Sequence, residues 1–469
     1  MQEPQFDFGM IGLGTMGRNF ILNVADRGFS AMGLDLDQEK VQALQEEGKG
    51  KAVQGTTDTA AFVASLKTPR RIMMLVPAGK VVDSVIGSLL PHLDQGDLII
   101  DGGNSHFADT NRRDQDLRDK GFFFLGTGVS GGAEGARRGP SIMPGGHEEA
   151  YEIIRPVFEA ASAKVDGEPC VAYMGKSSAG HYVKMVHNGI EYGLMQLIAE
   201  AYDLLQRGGG LNNEELHEVF NQWNHGTLKS FLIEITAEIF KQKDPKTGGD
   251  LIDYILDKAK QKGTGKWTSQ NAMDIGIPIP TIDSAVSMRG LSALKKERVV
   301  AAKILAIEID KKTGDKSAWI EQVGQALHFA FLVTYAQGMA MLNDASEEHG
   351  FDLDLEAIAR IWRGGCIIRA GMLEPIRQAF SSQPKLKNLM VSDQFVPDLL
   401  KTQAAARTVI KKGIDLGIPL LALASTLHYF DAFRTARLPL NLVQAQRDFF
   451  GSHTYERTDE EGIFHTAWE

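Results

Sequence analysis

The sequence predicts an α/β N-terminal domain, a large all-α domain and an extended C-terminal tail. Three observations carry that prediction. Short apolar runs alternate with helical patterns over the first ~175 residues. The strand signal stops after Gly180, and long helical patterns run to about residue 435. Leu438-Pro-Leu440 then opens a segment too polar and irregular for a core helix of its own. The domains are set at residues 1–178, 179–436 and 437–469, and 469 residues are too many for one ordinary core.

The candidate strands are Phe6–Ile11, Ala31–Asp35, Arg71–Val76, Leu98–Asp101, Phe122–Thr127 and Val171–Met174. Their alternation with helices implies a largely parallel sheet covered on both faces. Between the first strand and its helix, Gly12, Gly14 and Gly17 form GxGxxG, with Leu13, Thr15 and Met16 in the same turn. Gly12 permits the tight turn, Gly14 lets the backbone approach a pyrophosphate, and Gly17 lets helix and sheet pack closely. The helix N-terminus adds amide donors and a favourable dipole. This is the pattern of a Rossmann-like dinucleotide-binding domain. The second strand ends in Asp35-Leu36-Asp37. Asp35 stands where an acidic residue accepts hydrogen bonds from the ribose hydroxyls of NAD. Two carboxylates there would repel a 2′-phosphate, unless Lys40 or another nearby cation took it. NAD is the expected dinucleotide.

In the helical region, Lys184, Asn188, Glu191 and Tyr192 fall at i, i+4, i+7 and i+8, on one helix stripe. Val183, Val186, Ile190, Leu194 and Leu197 form an apolar stripe. The cation and the carboxylate are too far apart along the helix to pair well, but a small substrate between them could use both. The plain alternative is a solvated polar face on an ordinary amphipathic helix. Ile190–Leu205 and Phe329–Leu342 share a loosely similar texture, which hints at duplicated helices.

Composition narrows the class. A formal net charge of −10 argues against nucleic acid as a partner. No apolar run is long enough to span a bilayer, so no membrane association is expected. Cys170 and Cys366, the only cysteines, lack metal-like spacing and read as reduced buried thiols. MQEPQFDFGM does not look like a secretory signal, so a cytoplasmic location is expected. Nothing has the spacing of a metal-ligand cluster.

The string KMVHNGIEYG closely resembles the catalytic helix of the 6-phosphogluconate dehydrogenase family. Further matches are DGGNS at 101–105, GVSGGAEGARRGPSIMPGG from Gly128, QKGTGKWT, SMRGLS and QAQRDFFGSHTYE. The resemblance therefore covers essentially the whole chain. It implies oxidative decarboxylation of 6-phospho-D-gluconate to D-ribulose 5-phosphate and CO2, with reduction of NAD(P)+. It assigns Lys184 as general base and Glu191 as general acid, with His187 and Asn188 orienting substrate and nicotinamide. Asn104, Ser130 and the amides of Gly131 and Gly132 would hold the substrate's carboxylate end and hydroxyls. Tyr192, Lys266, Arg289, Arg447 and His453 would hold its phosphate.

Val76-Pro77-Ala78 and Asn104 would border the nicotinamide, although Pro77 stands where the family often has Lys. NADP is the family default, yet its NADP-using members typically have Asn-Arg-Thr where this chain has Asp35-Leu36-Asp37. In the relatives the tail enters the neighbouring subunit, which implies a homodimer with shared sites. Simpler β-hydroxyacid dehydrogenases share the GxGxxG domain and a lysine-bearing helix, but are shorter and lack the GTGKWT loop and basic tail. A non-catalytic cofactor-binding protein would not need Lys184, Glu191, Lys266, Arg289, Arg447 and His453 together.

Overall fold

The computed structural model describes residues 5–307 and 314–468. Seven strands form the main sheet: β1 (Phe8–Ile11), β2 (Ala31–Leu34), β3 (Val53–Thr56), β4 (Arg71–Met74), β5 (Leu98–Asp101), β6 (Phe123–Ser130) and β7 (Ser141–Gly146). Their order is β3-β2-β1-β4-β5-β6-β7; β1 to β6 are parallel and β7 is antiparallel to β6. β1 and β4 are neighbours although the chain leaves β1 toward β2. That reversal opens a crevice at the strands' carboxyl ends, where doubly wound sheets bind ligands. Asp35 and Val76 lie just past the ends of β2 and β4, in the loops at that crevice.

Three strand assignments need correction. β3 and β7 were not expected. β3 (VQGT) has no apolar run, because one edge position of the sheet is half solvated. β7 (SIMPGG) hides in a Gly- and Pro-rich stretch, yet it is buried throughout. Val171–Met174 is not a ladder strand. It runs beside β7, with one bridge from Ile142 to Val171 and a bond from Met174 N to Pro144 O. Pro144 has no N–H to return, so the ladder cannot continue there.

The helix Ala179–Asp203 is the axis of the second region. It packs on β6 and β7 at one end, and on helices Thr264–Asp274, Pro280–Ala293, Lys316–His349 and Leu421–Phe433 along its length. Ile190–Leu205 and Phe329–Leu342 fall on the two long helices that pack together. The polar stripe is not a solvated face: Lys184 and Tyr192 are each only 7% exposed. Cys170 and Cys366 are free and buried. Among the described residues no helix is long and apolar enough to cross a membrane.

Backbone, not side chains, sets the distance between this helix and the sheet. A Cβ on Gly180 would lie 2.2 Å from Gly126 O and 2.3 Å from Met143 O. A Cβ on Gly128 would lie 2.4 Å from the Lys184 Cβ. The tail, in contrast, forms an exposed helix, Leu440–Gly451, with only Asp448 buried. It is a helix, as the sequence did not suggest, but not a core one.

Gly180→Ala is expected to cost about 2–3 kcal/mol through forced separation of helix and sheet. Urea unfolding checks this, with Gly87→Ala as the control because a Cβ there meets nothing within 4 Å.

Candidate active site

The glycine turn is built as an anion cradle. Gly12 has φ +89°, and a Cβ on it would lie 2.6 Å from Leu75 O. A Cβ on Gly17 would lie 1.8 Å from Gly12 O, so only glycine allows the helix to start this close to the loop. Gly14 faces open space and no side chain caps the helix Thr15–Asp26 that it begins. The first-turn amides, including those of Thr15 and Met16, are therefore left for a ligand. These residues fit the pyrophosphate of a dinucleotide.

Asp35 finishes the cradle. Its Oδ2 accepts from Leu13 N at 2.8 Å, and its Oδ1 accepts from Asp37 N at 3.0 Å. Lys40 Nζ stands 3.5 Å from Asp35 Oδ1 and 3.7 Å from Asp37 Oδ2. The nearby cation is thus already engaged by two carboxylates. Leu36 is 89% exposed and offers no charge.

The loop after β5 is braced from behind. Buried Asp101 accepts from Gly103 N at 3.0 Å and from Ser105 Oγ at 2.5 Å, leaving Asn104 exposed between them. Arg113 Nη1 lies 3.6 Å from Asp101 Oδ2, while its Nη2 donates to Gly79 O at 3.0 Å and its Nε to Asp83 at 2.8 Å. One buried guanidinium therefore ties the Asn104 loop to the Val76–Gly79 loop. Sequence gave no sign of it, since Arg113 sits in a helix that reads as a polar surface.

Between the two regions lies a cavity of about 670 Å³. Val76, Pro77, Ala78 and Asn104 line one side; Asn188, Glu191 and Tyr192 line another; Lys260, Lys262, Thr264 and Arg289 close it. The Arg289 guanidinium stacks 3.4 Å from the Tyr192 ring centroid, and its Nη1 donates to Lys260 O at 2.9 Å. A Cβ on Gly265 would lie 2.4 Å from the Tyr192 ring, so that ring rests directly on glycine backbone. Lys184 and His187 belong to the buried layer of the same helix and do not line the cavity.

A hydrogen-bonded chain links the end of β6 to the helix Ala179–Asp203. Asn188 Nδ2 donates to Thr264 Oγ1 at 3.1 Å, which turns its amide oxygen toward His187 Nδ1, also at 3.1 Å. An amide oxygen only accepts, so Nδ1 carries the proton and Nε2 accepts from the Ser130 hydroxyl at 3.4 Å. Gly131, at φ +117°, and Gly132 follow Ser130 and open the short helix Gly132–Arg138. None of the three lines the cavity; Ser130 is linked through His187 to Asn188, which does.

Some residues expected at the site are placed elsewhere. Lys266 is exposed and does not line the cavity; Lys262 does. The helix begins at Thr264, so Lys266 falls in its first turn on the solvent side, while Lys262 stays in the segment beside the cavity. Two lysines four residues apart look alike in sequence, and only the helix start separates them. Arg447 and His453 lie on the exposed tail and do not reach their own chain's cavity.

Burial sets the ionisation. It pushes the Lys184 ammonium below the ordinary lysine range, with Glu191 pulling back. It pushes the Glu191 carboxyl up, opposed by Lys184 and Arg289. It also holds His187 well below the usual histidine range, with help from Lys184, so the ring is neutral. Cys366, beside Lys184, is pushed up to about 12 and stays an uncharged thiol. The two members of the stripe are thus shifted in opposite senses, toward a neutral amine and a protonated acid.

Known proteins resemble the whole chain. Residues 7–175 match the NAD binding domain of 6-phosphogluconate dehydrogenase, and residues 180–468 match 6-phosphogluconate dehydrogenase, C-terminal domain. A Bacillus subtilis relative, 6-phosphogluconate dehydrogenase, NADP(+)-dependent, decarboxylating, is 53% identical over 98% of each chain. The Escherichia coli 6-phosphogluconate dehydrogenase, decarboxylating, is 50% identical over 98% of each chain. The Plasmodium falciparum 6-phosphogluconate dehydrogenase, solved apo, with NADP+ and with 6-phosphogluconate, superposes with a TM-score of 0.96. It is 42% identical, over 98% of this chain and 100% of that one.

Holding an ammonium at Lys184 costs stability. The lowered folded value means that unfolding takes up a proton, so stability rises with pH toward 10.5 and the full cost is present at lower pH. Lys184→Met is expected to stabilise the fold by about 1 kcal/mol or more at neutral pH. The gain should shrink as urea unfolding is repeated at higher pH.

Proposed function

The chain belongs to the 6-phosphogluconate dehydrogenase family, and from that premise we propose how its residues divide the reaction. The enzyme oxidises and decarboxylates 6-phospho-D-gluconate to D-ribulose 5-phosphate and CO2, reducing a nicotinamide dinucleotide. The observation that carries the residue roles is the oppositely shifted pair on one helix face, Glu191 lining the cavity and Lys184 in the buried layer behind it.

The glycine turn Gly12–Gly17, Asp35, the loop Val76–Ala78 and Asn104 hold the dinucleotide, which supplies the hydride acceptor when bound. Lys184, as a neutral amine, takes the proton of the substrate's C3 hydroxyl as C3 is oxidised. The resulting ammonium then faces the new C3 carbonyl oxygen and stabilises the negative charge that gathers there as CO2 leaves. Glu191, its carboxyl pushed up by burial, delivers a proton to C1 as the enediol becomes the ketose. Neutral His187, fixed between Ser130 and Asn188, orients the substrate's carboxylate end beside Gly131 and Gly132. Arg289, Lys262 and Tyr192 take the phosphate, and a rigid guanidinium suits that task. Arg447 and His453 of the partner subunit complete this end in a homodimer.

The Bacillus subtilis relative is named NADP(+)-dependent, and the Plasmodium falciparum enzyme is solved with NADP+, which makes NADP the default. The acidic end of β2 supports the opposite preference here. Asp35 has lone pairs for ribose hydroxyls, Leu36 offers no cation, and Lys40 is held by Asp35 and Asp37. This chain therefore prefers NAD.

Initial rates with 6-phosphogluconate and either NAD+ or NADP+ test both parts. A higher kcat/KM with NAD+ is expected, and a higher value with NADP+ would refute the role given to Asp35 and Leu36. Lys184→Ala should lower hydride transfer by at least ~10²-fold. Glu191→Ala should retain single-turnover reduction while slowing release of ribulose 5-phosphate. Near-native turnover in either variant would contradict the roles.

A further inference from the structure

We propose that Asp448 is a positioning residue for the phosphate end of the site: it folds the tail into a preformed clasp that presents Arg447 and His453. This rests on the reading that the tail completes the partner subunit's site.

Asp448 is completely buried, although the helix that carries it is otherwise open to solvent. A buried carboxylate is costly unless its lone pairs are filled. Here four donors fill them. Thr454 N donates to Oδ1 at 3.0 Å and His465 Nδ1 lies 2.8 Å from the same oxygen. Thr466 N and Trp468 Nε1 donate to Oδ2 at 3.0 and 2.8 Å. The donors come from 6 to 20 residues further along, so one side chain gathers the whole tail around itself. The Tyr455–Phe464 bridge closes the loop between them.

The turn held in this way is strained. Ser452 has φ +50° and Thr454 has φ +58°, on either side of His453. Neither is glycine, and such positions persist only where the surroundings over-determine them. Asp448 supplies that constraint twice. Its backbone oxygen accepts from Ser452 N at 2.9 Å, and its carboxylate takes Thr454 N. Gln444 adds a bond to Thr454 O and another to Arg447, its Oε1 accepting from Nη1 at 3.0 Å. Arg447 precedes Asp448 directly, so helix and turn fix the Arg447 and His453 side chains relative to one another. Burial pushes the Asp448 carboxyl up, but its donors outweigh that and hold it below the usual carboxylate range. The clasp therefore keeps its charge across the working pH range.

Neither Arg447 nor His453 is held by a carboxylate among the described residues. The constraint makes sense as the means of delivering both as a rigid pair, with their ordering completed before substrate binds.

The test uses the full-length enzyme with Asp448→Asn, Asp448→Glu, Arg447→Ala and His453→Ala. Asp448→Asn should raise KM for 6-phosphogluconate at least about tenfold, with KM for the dinucleotide within about twofold and the sedimenting species unchanged. Asp448→Glu, which keeps the charge but displaces the oxygens, should rescue only part of the loss. In the Arg447→Ala, His453→Ala background, Asp448→Asn should add less than about twofold, because its effect passes through those residues. A normal KM in Asp448→Asn, with raised values in Arg447→Ala and His453→Ala, overturns the positioning role alone. Normal values in Arg447→Ala and His453→Ala overturn the shared-site reading and this proposal with it. Loss of the dimer together with equal loss of affinity for both substrates overturns it in favour of a merely structural tail.

Discussion

The approach of the helix Ala179–Asp203 to β6 and β7 fixes the rest of this molecule. Glycine faces glycine there: Gly180 against Gly126 and Gly145, and the Lys184 side chain over Gly128. Side chains at those positions would hold the helix off the sheet. Because they are absent, the helix enters the core at its polar end, and Lys184 is carried into an environment that a lysine would not choose. The chemistry follows from that. Burial lowers the proton affinity of the amine, raises that of the Glu191 carboxyl further along the same helix face, and keeps His187 neutral.

Two other devices depend on the same docking. The cavity exists because the helical region meets the carboxyl ends of the strands, where the Val76–Gly79 and Asn104 loops project. Arg113 keeps those loops together from within the sheet domain, and Thr264 and Arg289 fix the opposite wall. Stability is spent at several places along this path: a buried lysine, a buried carboxyl, and glycines where a helix or strand would otherwise gain from a side chain. Conflict between local preference and global fold of this kind is expected where a protein binds and reacts.

What could be read from sequence was what sterics or periodicity force. Gly12 and Gly17 stand where a Cβ would run into backbone, as their spacing suggests, whereas Gly14 faces open space. The strands at β1, β2, β4, β5 and β6 are apolar runs, and Lys184, Asn188, Glu191 and Tyr192 share a face because a helix has 3.6 residues per turn. The rest depended on tertiary context. β7 is written in Gly and Pro because it lies under a helix backbone rather than under side chains. Lys262 and Lys266 differ only in which side of a helix start they occupy. The burial of the polar stripe is invisible in a pattern that fits a solvated helix equally well. Arg113 and Asp448 sit in polar segments and gain their importance from partners many residues away.

The central claim is that burial lowers the proton affinity of Lys184 below that of an ordinary lysine. Selective 13C labelling at lysine Cε, with Lys184→Arg to assign the resonance, measures its titration directly. The account predicts one lysine whose transition lies clearly below the common group near pH ~10.4, and which disappears in the variant. A Lys184 resonance that titrates with the surface lysines would contradict it, and the base role would then have to come from another residue.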